Sequence, residues 1–404
     1  MADFDSMHIV EALRSGIPSR DVGAYFADAR PQIMRRIQSK MDEVGTSGIS
    51  SGMVFTGRYG EGKTHPLNTV LSIAASENMV VSFVPLGKET PLDKLHIVYP
   101  KVIANTYLPG ARQPGFRELI EGITLGSGIA GELLGYTAKV PETDKLYFLL
   151  TALMKTQDED DRYAFLQDLE GDFTTNGLVK KSYRRTSGAV AKFNQNFSKT
   201  KHSMDYFYFM SHLFRQLGYN GWVILFDEAE LLGRLGKKTR AKCYLNMERF
   251  MRPDPRLEGV FTLFAMSSSY AEDVIDRKHE FENAEEIYAD DPDSLRTVKA
   301  ILQGILDAPE LAPLTRAETE RILSEIQDFH GKAYDWTPSV STETLYRETE
   351  AGGYLLRTKI RAAIEFLDQL YQYGEAGKTK INELGAESYE EDDTPSVEEV
   401  LTQN

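Results

Sequence analysis

The chain has 404 residues, 41% hydrophobic and 26% charged, with 46 Lys and Arg against 61 Asp and Glu for a net charge of −15. That length suits one large domain or two to three packed units with a sizeable core. The charge excludes a globally basic nucleic-acid binder but leaves local basic surfaces open.

The first predicted elements are helices over residues 6–44, broken at Gly16-Ile17-Pro18-Ser19. A Gly/Ser-rich loop, Gly45 to Gly52, leads into a strand at Met53-Val54-Phe55. A Gly-rich turn follows, then a helix with Leu67, Val70, Leu71 and Ala74 on one face. Met79 to Leu86 reads as a second buried strand. From Asp93 to about Tyr219 the pattern is helical and irregular. Leu119 to Val140 reads as a small-residue helical hairpin rather than a membrane span, because Glu121, Glu132 and Lys139 interrupt it. The continuous apolar runs Trp222 to Phe226 and Val260 to Met266 have the appearance of fully buried parallel strands. Past Asp307 the chain is helical again, over Arg316 to Phe329, Ser341 to Thr349 and Tyr354 to Tyr373.

Strands alternating with helices predict an α/β core with a mainly parallel sheet. The expected organisation is an N-terminal helical segment (1–50) packed on a P-loop core (51–306). That core carries a helical insertion over about 93–219. A C-terminal helical lid or winged-helix domain (307–384) and an acidic, disordered tail (385–404) follow. The tail from Gly385 holds seven acids and no Lys or Arg. The single cysteine, Cys243, excludes an internal disulfide, and the histidines lack ligand spacing, so no zinc site is expected. The acidic start, Met1 to Asp5, lacks the order of a leader peptide, and a reducing cytoplasm is the expected location.

The chemistry centres on Gly57-Arg58-Tyr59-Gly60-Glu61-Gly62-Lys63-Thr64, with His65 after it. This is a Walker A pattern placed after a predicted strand and before a predicted helix. Glycines let the backbone N–H groups form a nest around phosphates, and the helix N-terminus adds its positive end. Lys63 is expected on the β and γ phosphates of ATP, and the Thr64 hydroxyl on Mg²⁺. The second element is Asp227-Glu228-Ala229-Glu230, at the end of an apolar run. There Asp227 would hold the metal and Glu228 would polarise the attacking water. Of Ser267-Ser268-Ser269, Ser268 is the preferred γ-phosphate sensor, with a plain helix cap as the alternative. Arg240, Arg249 and Arg277 are candidate fingers for a neighbouring subunit, and Arg357 and Arg361 candidate lid arginines, each weighed against a surface salt bridge. The run from Lys180 to Lys201 is basic and fits a phosphate backbone or a solvated loop.

These motifs together carry a resemblance. The segment Ile9 to Arg20, the loop Gly57 to His65, Gly87 to Leu92 and Gly218 to Trp222 running into Asp227-Glu228-Ala229-Glu230 resemble the BREX-system ATP-binding family of bacterial anti-phage defence, specifically its BrxD-type proteins. The resemblance implies an AAA+-like core akin to origin-recognition and STAND ATPases, a helicase partner encoded nearby, and a role in defence. It also implies an adenine-side role for Ile17 to Arg20. The acidic stretch Glu280 to Pro292 departs from the basic turn of related ATPases, which counts against Arg277 acting in trans.

The leading expectation is an oligomerising ATPase acting on or beside duplex DNA with a helicase. A non-hydrolysing STAND-like switch that signals by assembly and a loader resembling origin-recognition proteins are the alternatives.

Overall fold

The computed structural model describes residues 4–15, 30–350 and 355–376. Arg20 and the acidic tail lie outside them. In chain order the elements are α1 (Phe4–Ser15), α2 (Pro31–Ser47), β1 (Ser51–Gly57), α3 (Thr64–Ser76), β2 (Met79–Pro85), α4 (Leu95–Ala104) and β3 (Thr106–Tyr107). The insertion continues with α5 (Arg117–Glu121), α6 (Gly128–Thr137), α7 (Lys145–Lys155), α8 (Glu159–Leu169), α9 (Asn176–Ser187), α10 (Lys199–His202) and α11 (Met204–Gln216). The core closes with β4 (Gly221–Asp227), α12 (Lys237–Met251), β5 (Val260–Ser267), α13 (Glu280–Ile287) and α14 (Pro292–Leu306). Then come α15 (Arg316–Tyr334), α16 (Thr342–Glu350) and α17 (Leu356–Tyr373).

The sheet order is β1-β5-β4-β2-β3. The first four strands pair in parallel, and β3 pairs antiparallel to β2. A strand inserted between the two motif-bearing strands is the additional-strand arrangement of a P-loop NTPase, and β5 occupies that place. The register brings Gly57 level with Ser267, and Asp227 level with Pro85. The carboxyl ends of the strands therefore converge on one edge, where ligands of open α/β sheets bind.

Both sheet faces are covered, which is why the strands are apolar throughout rather than alternating. Met53, Phe55, Val223, Leu225, Phe261 and Leu263 face α2 and α3. Val54, Val80, Ile224, Phe226 and Phe264 face the insertion and the helices after β4. Each fully buried side chain of this size contributes about 1.5–3 kcal/mol. Helix α2 starts with Pro31 in its first turn and stops at Gly48, a left-handed residue whose N–H bonds the Val44 carbonyl.

The C-terminal helices form a separate core with α1. Ile9, Val10 and Leu13 pack against Ile322, Leu323, Ile326, Ile364 and Leu367. Arg14 forks onto both oxygens of Asp368, at 3.1 and 2.7 Å. The N-terminal segment thus divides. Helix α2 packs on the sheet, whereas α1 packs on the C-terminal helices through its apolar stripe and Asp368. Helix α15 opens with a capping box between Thr315 and Glu318. Among the described residues the C-terminal part holds helices and no β-hairpin that would form a wing.

Candidate nucleotide site

Strand β1 delivers the chain to the sheet edge at Gly57, and α3 takes it away from Thr64. Between them Gly60 and Gly62 have φ of +76° and +81°, which favour glycine. A Cβ at Gly60 would collide with Leu355, and one at Gly62 would touch Leu356. The loop is thus bare on its own side and roofed by the start of α17. It closes on itself through the Glu61 N–H to the Arg58 carbonyl (3.2 Å) and the His65 N–H to the Gly62 carbonyl (3.0 Å). Tyr59 holds its ring 5.9 Å from the Lys63 ammonium. His65 lies in the first turn of α3, where its carbonyl accepts the Thr69 hydroxyl at 3.1 Å.

The Thr64 hydroxyl donates to Asp227 Oδ2 at 2.7 Å, across 163 residues of sequence. This contact brings the two motifs together. Its oxygen donors suit a hard divalent cation, so Thr64 and Asp227 fit the Mg²⁺ that a P-loop employs. Burial pushes the Asp227 carboxyl above its ordinary range; the Thr64 hydroxyl, the Glu228 N–H and the charges of Lys63 and Arg357 oppose that shift. Glu228 is exposed and left-handed, with φ of +56°. Such a conformation in a non-glycine residue costs about 1–3 kcal/mol and is concentrated at functional sites. It turns the chain sharply off β4 into the short 3₁₀ helix Ala229–Arg234.

That turn returns Glu230 beneath the loop. One of its oxygens lies 3.2 Å from Lys63 Nζ, and the other accepts the Ser267 N–H at 3.1 Å. The Ser268 N–H donates to the Gly57 carbonyl at 3.1 Å, and the Ser267 and Ser269 hydroxyls are 3.1 Å apart. The serine run therefore touches the loop through the backbone of Ser268, while Ser267 reaches Glu230.

The arginines separate by environment. Arg357, in the first turn of α17, is near enough to Asp227 to act on its charge. Arg361 stands four residues further along the same helix, about 6 Å up the axis. Arg240 is buried against Glu280 at 2.8 Å, which removes it from the trans-acting candidates. Arg249 is exposed, and Arg277 is exposed but paired with Asp273 at 2.9 Å. Sequence reasoning missed two residues. In the sequence Glu230 stands only as the last letter of a motif. Arg30, just before α2, donates to the Glu61 carbonyl at 2.7 Å and also to the Ala312 carbonyl. A lone arginine in an unpatterned stretch carries no sequence signal, although the acid three residues past Asp227 was visible.

The family model for the BREX system ATP-binding protein BrxC/D matches residues 2–125 and 145–383. The chain belongs to this family. The match spans the phosphate loop, the Asp227 strand and the C-terminal helices, and ATP is the nucleotide named by the family description. No match is found among curated proteins. A solved structure, the Walker-type ATPase PABY2304 of Pyrococcus abyssi, is similar over 85% of this chain and 68% of its own, at 11% identity and a TM-score of 0.36. Among the described residues no helix is long and apolar enough to cross a membrane.

Proposed function

We propose that this BREX-family chain hydrolyses ATP as part of an anti-phage defence assembly, working as an oligomer on or beside duplex DNA with a helicase partner. The observation that carries the hydrolytic reading is the 2.7 Å contact from Thr64 to Asp227, with Glu228 next in the chain and facing solvent at the same edge. Lys63 and the loop N–H groups would hold the phosphates. Thr64 and Asp227 would hold Mg²⁺, which when bound offsets phosphate charge. Glu228 would accept a proton from water, and Arg357 brings a positive charge from the lid. Ser268, Arg361 and, at the adenine side, Arg20 remain the proposed accessory contacts.

The DNA reading rests on residues 177–201, which hold seven Lys and Arg and no acid. Lys181, Arg184, Lys192, Lys199 and Lys201 are exposed on α9 and the segment after it. Arg185 is spent on Asp158 and Asp161, and Lys180 lies over Phe193 at 4.6 Å. Clustered cations of this kind suit a phosphate backbone without base reading.

The test is ATP turnover and native mass with and without duplex DNA, in wild type, Lys63→Ala and Glu228→Gln. The expected result is turnover in wild type that both variants lose, with DNA raising turnover or mass. A wild type that binds ATP without turnover under every condition leaves the STAND-like switch. Turnover and mass indifferent to DNA remove the DNA role.

A further inference from the structure

Glu230 is almost fully buried, as is Lys63. A carboxylate in such a place is costly unless each oxygen has a partner. Both oxygens do, and the partners come from different strands of the site. Lys63 follows β1, and Ser267 ends β5. Burial pushes the Glu230 carboxyl up and the Lys63 charge pulls it back.

We propose that Glu230 is a positioning residue that aims the Lys63 ammonium at the phosphate pocket and ties it to the end of β5. An ammonium has three N–H donors. Glu230 takes one and thereby fixes the direction of the other two, which stay available to phosphate oxygens. The Ser267 N–H holds the carboxylate from the far side, so Lys63 cannot swing without disturbing the strand end that precedes Ser268. The left-handed turn at Glu228 makes the arrangement possible, because it sends the chain back under the loop. The proposal rests on the ATPase reading and adds a residue to it.

Glu230→Gln keeps the shape and an acceptor for the Ser267 N–H but removes the charge that pins Lys63. Two measurements are made: steady-state turnover, and calorimetric affinity for a non-hydrolysable ATP analogue. The expected result is a split. The kcat falls about tenfold to a hundredfold through misplacement of Lys63, and the analogue binds about threefold tighter, because one negative charge has left a pocket that receives a polyanion. A purely structural role would weaken both with the melting temperature, and that result overturns the proposal. So does a variant with wild-type kcat and affinity. Glu230→Ala, followed by melting temperature, repeats the test where the glutamine restores too much. Wild-type protein without turnover is a failure of the ATPase reading alone. The affinity arm then decides, and unchanged affinity overturns the positioning role.

Discussion

Among the described residues two pairs of lysine and carboxylate are buried, and they are built for different ends. Lys63 and Glu230 meet at 3.2 Å under the phosphate loop, and Lys145 and Asp168 meet at 2.5 Å inside the helical insertion. The second pair is fully enclosed. The Lys145 ammonium lies 4.3 Å from the Phe197 ring centre. Asp168 also receives the Tyr206 hydroxyl and, at 2.6 Å, the Thr174 N–H. The Lys145 ammonium is surrounded by Asp168 and the rings of Phe173, Phe197 and Tyr206, all within the insertion, and burial drives both partners toward their neutral forms against the pull of each on the other. The first pair stands at the mouth of the sheet, where Lys63 faces the glycine loop. What separates a binding lysine from a scaffolding lysine here is what surrounds the ammonium, three aromatic rings at Lys145 against the open glycine loop at Lys63.

Lys63→Ala should give the largest effect, a loss of turnover of about a thousandfold with little change in denaturation midpoint. Equal loss of folding would erase the distinction between the pairs. Lys145→Ala should do the reverse. Stranding Asp168 should cost about 3 kcal/mol of stability, read by denaturant titration, with turnover per folded molecule unchanged. Restoration of much of that loss by Lys145→Met with Asp168→Leu would sharpen the scaffolding assignment.

Two arginines extend the contrast. Arg30 is buried and grips backbone carbonyls of the loop and of the connector at Ala312. Arg30→Ala is expected to cost about 2 kcal/mol and to raise KM, measured together by melting and by steady-state kinetics. Arg14 is only half-buried, and its fork onto Asp368 is screened by solvent. Arg14→Ala should cost about 1 kcal/mol or less. Burial would raise the Asp368 carboxyl, but His330 and Arg14 hold it below its ordinary 3.8. The stability this lends is complete above that value and disappears as pH falls below it. Acid titration of the fold should therefore flatten in the Arg14 variant.

The strands and the loop were legible because their signals are local. Trp222 to Phe226 is an unbroken apolar run, and Gly57 to Thr64 has fixed spacing. The expected strand limits agree with β1, β2, β4 and β5 to within a residue or two. The docking of α1 was not legible, since Ile9 and Leu13 make an apolar stripe that names no partner. The two motifs already assign Thr64 and Asp227 to one metal; the 2.7 Å hydrogen bond between the side chains comes through the sheet order, with β5 between β1 and β4. Glu230 was visible as a letter, but its direction depends on the left-handed turn at Glu228, which no glycine announces.

The connector leaving the core runs beside β1. The Thr56 N–H donates to the Pro309 carbonyl at 3.0 Å, and the Leu311 N–H to the Thr56 carbonyl at 2.7 Å. The C-terminal helices are therefore suspended from a fulcrum that adjoins the residue opening the phosphate loop. The same helices supply Leu355 and Leu356 over Gly60 and Gly62, so the segment that anchors the C-terminal helices and the segment that covers the phosphate loop meet on the two sides of one short stretch of backbone.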